Sequence, residues 1–284
     1  MSDERLGGMG WERDLPDFRD YQPASPEIKE ILSKSKPLKT AAKSAPAKVD
    51  LRRWCSPVED QGNLGSCTAQ AGVALLEYFQ RRAYGKHLDG SRLFLYKATR
   101  NLLGWTGDTG GYLRTTMKAM ALFGVPPESY WPYKVADYEQ EPSAFCYAFA
   151  GSYRALKYYR LDPEGTALSK RLDSVKTHLA GELPSMFGFT VYSSMPGIGD
   201  DTGDIPFPKE GDRVEGGHAV VAVGYDDNRK IGSNKGALLI RNSWGKEWGD
   251  RGYGWLPYEY VLRGQAVDFW SLVEASFVDT DLFK

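Results

Sequence analysis

Cysteine is scarce in this 284-residue chain, which carries only Cys55, Cys67 and Cys146. An odd number cannot pair fully within one chain, so a disulfide-stapled scaffold is excluded and a reducing compartment is the expectation. None of the three stands at CxxC spacing, which leaves no zinc framework, and no cofactor or metal is expected. Excess charge of either sign is also lacking: 36 Lys and Arg stand against 37 Asp and Glu. Without a global field, neither nucleic acid nor an anionic membrane surface is an expected partner. No run approaches the ~20 apolar residues that span a bilayer. The first thirteen residues hold three acids and two arginines and no apolar h-region, so no Sec signal is read there. A cytoplasmic monomer is expected, with export by a non-Sec route as the alternative. No repeat of 20 to 50 residues is visible.

What is present is a globular composition, 42% hydrophobic, 13% aromatic and 26% charged, long enough for one large domain or two packed halves. Residues 1–32 form a short head whose stretch "GWERDLPDFRDYQ" is too apolar for a tail and is expected to dock on something. Residues 33–48, with five lysines, two prolines and no acid, read as a flexible basic linker. From residue 49 to 284 the pattern is that of a folded body. Apolar residues at helical spacing begin at Cys67, and further helices are expected from Ser91 to Gly104, up to Gly124, and over 166–180. The period then changes to two in "SMFGFTVY", "HAVVAVGY" and "ALLIRN", with weaker strand signals in "GYGWLPYEYV" and "FWSLVEASF". A mainly helical half followed by a mainly strand half predicts an α+β fold.

A cysteine nucleophile needs a base, and only three histidines are available. His87 sits in a polar turn and His178 in the last turn of a helix, where the dipole favours a cation; both read as structural. His218 follows two glycines and opens an apolar strand, a position that another chain could approach closely. Asn242 closes a strand and could fix the imidazole's ring angle and tautomer. Trp244 and Trp248 follow it and could shield that contact from water. Between the first two strands lies a 25-residue loop containing "GDDTGD". Its Asp200, Asp201 and Asp204 lack EF-hand spacing, so a solvated loop or a cleft-rim lid is expected in preference to a calcium site.

Three blocks, "PVEDQGNLGSC", "GGHAVVAVGYDD" and "IRNSWGKEWGDRGYGWL", occur in the order in which the papain family of cysteine peptidases has its cysteine loop, histidine strand and asparagine segment, and the chain resembles that family from about Val49 to about Val273. The resemblance implies a papain-like two-subdomain fold, a helical half and an antiparallel β-barrel-like half with the active-site cleft between them. It implies Cys67 as nucleophile, His218 as its acid and base, Asn242 as orienter and a Gln61 side-chain N–H in the oxyanion hole. Gly110 and Gly111 match a glycine pair that lines the cleft and meets substrate backbone. Gly188, Gly217 and Ala219 would surround a pocket with room for a bulky apolar side chain, with Trp244 and Trp248 near the bound substrate. The implied activity is hydrolysis of peptide or protein substrates, as an endopeptidase.

Departures accompany the likeness. Leu64 removes one half of the family's usual local disulfide, and "TGDTGG" has no cysteine for the other half. Thr68 stands where an aromatic is usual. Cys55 and Cys146 are expected to be buried or free thiols. No domain-sized propeptide precedes the body, so residues 1–48 are read as a short extension whose Trp11–Tyr21 stretch packs near the cleft and regulates access, as in a zymogen. Two rival readings are an acyltransferase or dedicated amide hydrolase using the same site, and a catalytically silent peptide-binding protein.

Overall fold

The computed structural model describes residues 6–151 and 157–273. Residues 6–25 are mostly irregular and contain one two-residue strand, β1 (Trp11–Glu12). Two short helices follow, α1 (Pro26–Leu32) and α2 (Lys36–Lys43). The expectation of a flexible linker over 33–48 is corrected by α2. Ser35 caps that helix by accepting the Leu38 amide, and Pro37 lies in its first turn, where a missing N–H costs nothing. Lysine and alanine propagate helix well, and Leu38 seats against Gly181. What remains as exposed connector is 44–47.

The helical half is built after β2 (Lys48–Asp50) by α3 (Cys67–Tyr84), α4 (Arg92–Leu103), the short strand β3 (Gly111–Tyr112), α5 (Leu113–Leu122) and α6 (Ala144–Ala150). Helix α3 is buried on nearly every side, and its small residues permit this: at Gly72, Met120, Thr116 and Leu95 come within 3.3 Å of where a Cβ would stand. It stops at Gly85, whose left-handed φ of 70° turns the chain while its N–H returns to the Arg81 carbonyl. Helix α4 starts where expected, with Ser91 accepting the Phe94 amide.

In the second half come β4 (Lys157–Arg160), α7 (Leu168–Ala180), β5 (Ser185–Tyr192), β6 (Val214–Ile231), β7 (Asn234–Arg241), β8 (Tyr253–Pro257), α8 (Tyr258–Leu262) and β9 (Ala266–Val273). The strands form an antiparallel sheet in the order β4-β9-β5-β6-β7-β8, with β2 also pairing β6. Both α3 and α7 pack on β6, so its centre reads as a continuous apolar run. Two expected strands differ: "GYGWLPYEYV" turns at Pro257 into α8, and the last four residues of "FWSLVEASF" lie outside the described residues. Helical half and antiparallel sheet together make the expected α+β, papain-like fold. Among the described residues, no helix is long and apolar enough to cross a membrane.

Candidate active site

Cys67 is the first residue of α3, so its sulfur meets the helix's unpaired amides and positive dipole end. His218 lies in β6, directly after the glycines at 216 and 217. The backbone of Ala219, the next residue, lies against the Cys67 sulfur and so brings nucleophile and imidazole to one place. His218 Nε2 is 2.7 Å from Asn242 Oδ1, which also accepts the Ser243 amide at 2.8 Å. An amide oxygen can only accept, so Nε2 carries the proton and Nδ1, which has no partner, keeps its lone pair. The Trp244 ring stacks on the imidazole with centroids 4.6 Å apart, and Phe189 meets it edge-on. This is the water-shielding expected of Trp244.

Gln61 is held from several directions. Its amide donates to the Ser243 carbonyl at 2.9 Å, its Oε1 accepts the Ser243 hydroxyl at 2.6 Å, and its own carbonyl accepts Tyr133 Oη at 3.0 Å. The side-chain Nε2 is thereby aimed, and it donates to Gly8 O at 2.9 Å and Leu64 O at 2.7 Å. Trp244 Nε1 reaches the same Gly8 oxygen at 3.1 Å.

Gly8 belongs to the head, which threads the cleft between the halves. The Gly8 amide bonds to Gly62 O at 2.8 Å, the Gly10 amide to Gly217 O at 3.2 Å, and the Gly111 amide to Gly10 O at 2.8 Å; β1 pairs with β3 in parallel, Trp11 opposite Gly111. The fit leaves no room for side chains: a Cβ on Gly10 would overlap the Gly65 carbonyl, and one on Gly8 the Leu64 carbonyl. The Trp11 ring fills the space that a side chain at Gly188 would occupy, and its carbonyl lies over Gly217. With the head in place, Cys67 and His218 are fully buried. Burial pushes the Cys67 thiol up to about 12, against the opposing pull of the Ala219 and Gly10 backbone. It also holds the His218 imidazolium down to about 4, which the Asn242 contact only partly offsets.

Of the other expected residues, Gly110, Gly111, Gly188, Gly217 and Ala219 converge on the head and the nucleophile. Trp248 does not face the head: it lies behind Trp244, ring centroids 5.9 Å apart, with Nε1 bound to Pro196 O. It supports the stack, which corrects its expected place beside substrate. In "GDDTGD", Asp200 accepts the Thr202 hydroxyl and Asp204 pairs with Arg229, Asp201 is exposed, and the loop is stitched to residues 247–255. His178 is structural through burial: its pKa is held down to about 4, so it is neutral and not the dipole-favoured cation. Cys55, Cys67 and Cys146 are all unpaired. Sequence reasoning missed Ser243, Tyr133 and Asp108, polar residues whose roles appear only once distant loops meet.

The family described as "Papain family cysteine protease" matches residues 45–262. An uncharacterized peptidase C1-like protein of Acanthamoeba polyphaga mimivirus is 34% identical over 222 residues, 76% of this chain and 70% of that protein. Chicken (Gallus gallus) cathepsin K is 35% identical over 220 residues, 74% of this chain and 58% of that protein. Among solved structures, xylellain, a cysteine protease from Xylella fastidiosa, superposes with a TM-score of 0.77 at 34% identity, covering 96% of this chain and 98% of that one. The bromelain protease of Ananas comosus, at 20% identity and TM-score 0.60, shares the fold. On the matched residues and these relatives, the chain belongs to the papain family of cysteine proteases.

Proposed function

We propose that this protein is an endopeptidase in which Cys67 attacks the peptide carbonyl and the head controls access to the cleft. The observation that carries this reading is the Gly8 carbonyl of the head, gripped by Gln61 Nε2 and Trp244 Nε1 at the N-terminus of the helix that begins with Cys67. A substrate carbonyl in that region would develop its negative charge against donors already oriented, each worth about 3 kcal/mol of barrier. The lone pair on His218 Nδ1 takes the thiol proton, and Asn242 holds the ring for its transfer to the leaving amine. Water then hydrolyses the thioester. The head runs through the cleft as continuous chain from Leu6 to Glu12, contacting Trp244 at one end and Gly111 at the other, which supports cleavage within chains over cleavage at their ends. Three unpaired thiols fit work in a reducing compartment.

The docked head removes water from the thiol and keeps it protonated, so the occupied state is dormant. The test compares peptidase activity of the full chain with a chain beginning at Lys48, each beside its Cys67→Ala counterpart. The shortened chain is expected to be the more active, and Cys67→Ala to lower its kcat by about 10⁶. Equal activity with and without the head sinks the regulatory role; activity that survives Cys67→Ala sinks the nucleophile.

A further inference from the structure

The loop that presents the nucleophile is tied to the neighbouring segment of the helical half, the one that carries the cleft glycines, by one carboxylate. Asp108 accepts the Gly65 amide with both oxygens, at 3.0 and 3.1 Å. Its Oδ1 also accepts the Tyr96 hydroxyl at 2.5 Å, and the Tyr96 oxygen accepts the Gly110 amide at 3.1 Å. A hydrogen-bonded chain therefore runs from Gly65, two residues before Cys67, to the cleft glycine Gly110. Its base is firm, because the wholly buried Arg100 holds the Gly107 carbonyl at 2.5 Å and Glu139 at 2.5 Å while lying over the Tyr96 ring.

The Leu64–Gly65 peptide unit makes this contact relevant to chemistry. Its carbonyl accepts Gln61 Nε2 and its N–H donates to Asp108, so the plane is fixed at both ends. If Asp108 is lost, the plane can rotate, and the Leu64 oxygen that helps aim Gln61 Nε2 moves with it. Leu64 and the "TGDTGG" segment holding Asp108 are the places where the family's usual disulfide is missing. We propose that Asp108 is a positioning residue for the Cys67 loop, a non-covalent pin that does the work of that disulfide and is indifferent to reduction. The proposal rests on the peptidase reading for its kinetic consequence, but the pin itself can be observed without any catalysis.

Four full-length chains test it, wild type, Asp108→Ala, Asp108→Asn and the Leu64→Cys/Asp108→Cys pair, each bearing a cleavable sequence in the exposed 44–47 connector so that the head can be released. Asp108→Ala is expected to lower kcat on the order of ten- to a hundredfold with KM changed by less than about threefold, since misplacing reacting groups by ~1 Å costs that much. Asp108→Asn, which keeps an acceptor oxygen for Gly65, is expected to restore most of the loss. The double-cysteine chain is expected to be active when oxidised and to fall to the Asp108→Ala level on reduction, while wild type treated alike is equally active in both. Hydrogen exchange of the Gly65 amide reads the pin directly and is expected to quicken in Asp108→Ala. Unchanged exchange together with full kcat in Asp108→Ala overturns the proposal, as does a formed cross-link that leaves kcat low. If even the wild type cleaves nothing after head release, the peptidase reading fails, and Gly65 exchange alone decides whether Asp108 holds the loop.

Discussion

The head is held in two different ways along its length. From Leu6 to Trp11 it is uncharged and glycine-rich, bound by backbone hydrogen bonds and one buried indole. From Asp14 to Asp20 it is held by charge. Asp14 and Asp20 both pair with Arg114, and the Asp14 amide donates to Asp268 at 2.8 Å. Arg160 joins Asp20, Asp162 and Asp268, which brings four carboxylates around two guanidinium groups. The first part runs through the cleft as an extended peptide and, on the proposed reading, is the part that substrate would displace; the second lies beside it. On that reading, inhibition would come from the cleft strand, and its strength and its response to solution conditions from the anchor.

Breaking the anchor is expected to have the largest effect. Arg114→Ala leaves Asp14 and Asp20 buried without their main partner, which costs on the order of 3–5 kcal/mol when one side of a buried pair is removed. Full-chain peptidase activity should rise by two orders of magnitude or more, up to the level of the head-free chain. Activity that stays at the wild-type level would mean that the cleft strand alone secures the head. Because Arg114 also lies over the Trp270 ring, the thermal midpoint of the head-free variant serves as the control for damage to the body.

Weakening the cleft strand gives a somewhat smaller effect of another character. Trp11→Ala removes the ring over Gly188 and is expected to loosen the head by about 3 kcal/mol, the low end for losing a buried aromatic. That contact is apolar, so its loss should leave the salt dependence of head release unchanged, whereas Arg114→Ala should flatten it. Measuring activation of each variant between low and high ionic strength separates the two modes. If both respond alike to salt, the division drawn here between strand and anchor is wrong.

These two modes differ in how visible they are in the sequence. The aromatic residues of the head make it too apolar for a tail, so a docked head is expected; Cys67, His218 and Asn242 follow from local patterns, a helix start, a strand opening behind two glycines and a strand end before tryptophan, whereas Gln61 comes from the family resemblance alone. Those patterns are short-range, and the chain folds locally as they suggest. The anchor is not short-range. Asp14 meets Asp268, 254 residues away, and nothing near either residue announces the other. Asp108 is hidden likewise, since its partner Gly65 lies 43 residues off, although an acid opposite a missing cysteine was a signal that could have been used. The lysine-rich stretch misled for a different reason: α2 is specified by a cap at Ser35 and a seat for Leu38 on Gly181, and composition records neither. Ordinary side chains that meet only in the folded state hold the head and the Cys67 loop, and the residues in the cysteine, histidine and asparagine blocks carry the legible part.

The effect that depends most on solution conditions concerns protons at the anchor. Burial, with the charge of Asp14 adding to it and Arg160 opposing, pushes Asp268 up to about 7 while the head is docked; Asp14 is raised too, chiefly by burial. When the head leaves, Asp14 goes with it and water reaches Asp268, whose pKa falls toward the ordinary carboxylate range. Docking therefore takes up a proton. Its stabilisation is fully present below the undocked pKa, declines by up to about tenfold per pH unit, and is lost once the pH passes about 7. His218, held down to about 4 by the docked head, has the opposite sign, so the raw pH profile mixes both. Asp268→Asn isolates the carboxylate: asparagine tolerates the left-handed φ of 60° at this position and behaves as a permanently protonated Asp268. The rate of Cys67 alkylation by a small neutral reagent, taken as the ratio of wild type to Asp268→Asn, cancels the thiol and imidazole contributions. That ratio should be near one at pH 4.5, rise with pH, and level off above about 7. A flat ratio would detach head release from Asp268 and leave the anchor as a set of fixed ion pairs, whereas a ratio that falls with pH would reverse the sign and make acid the releasing condition.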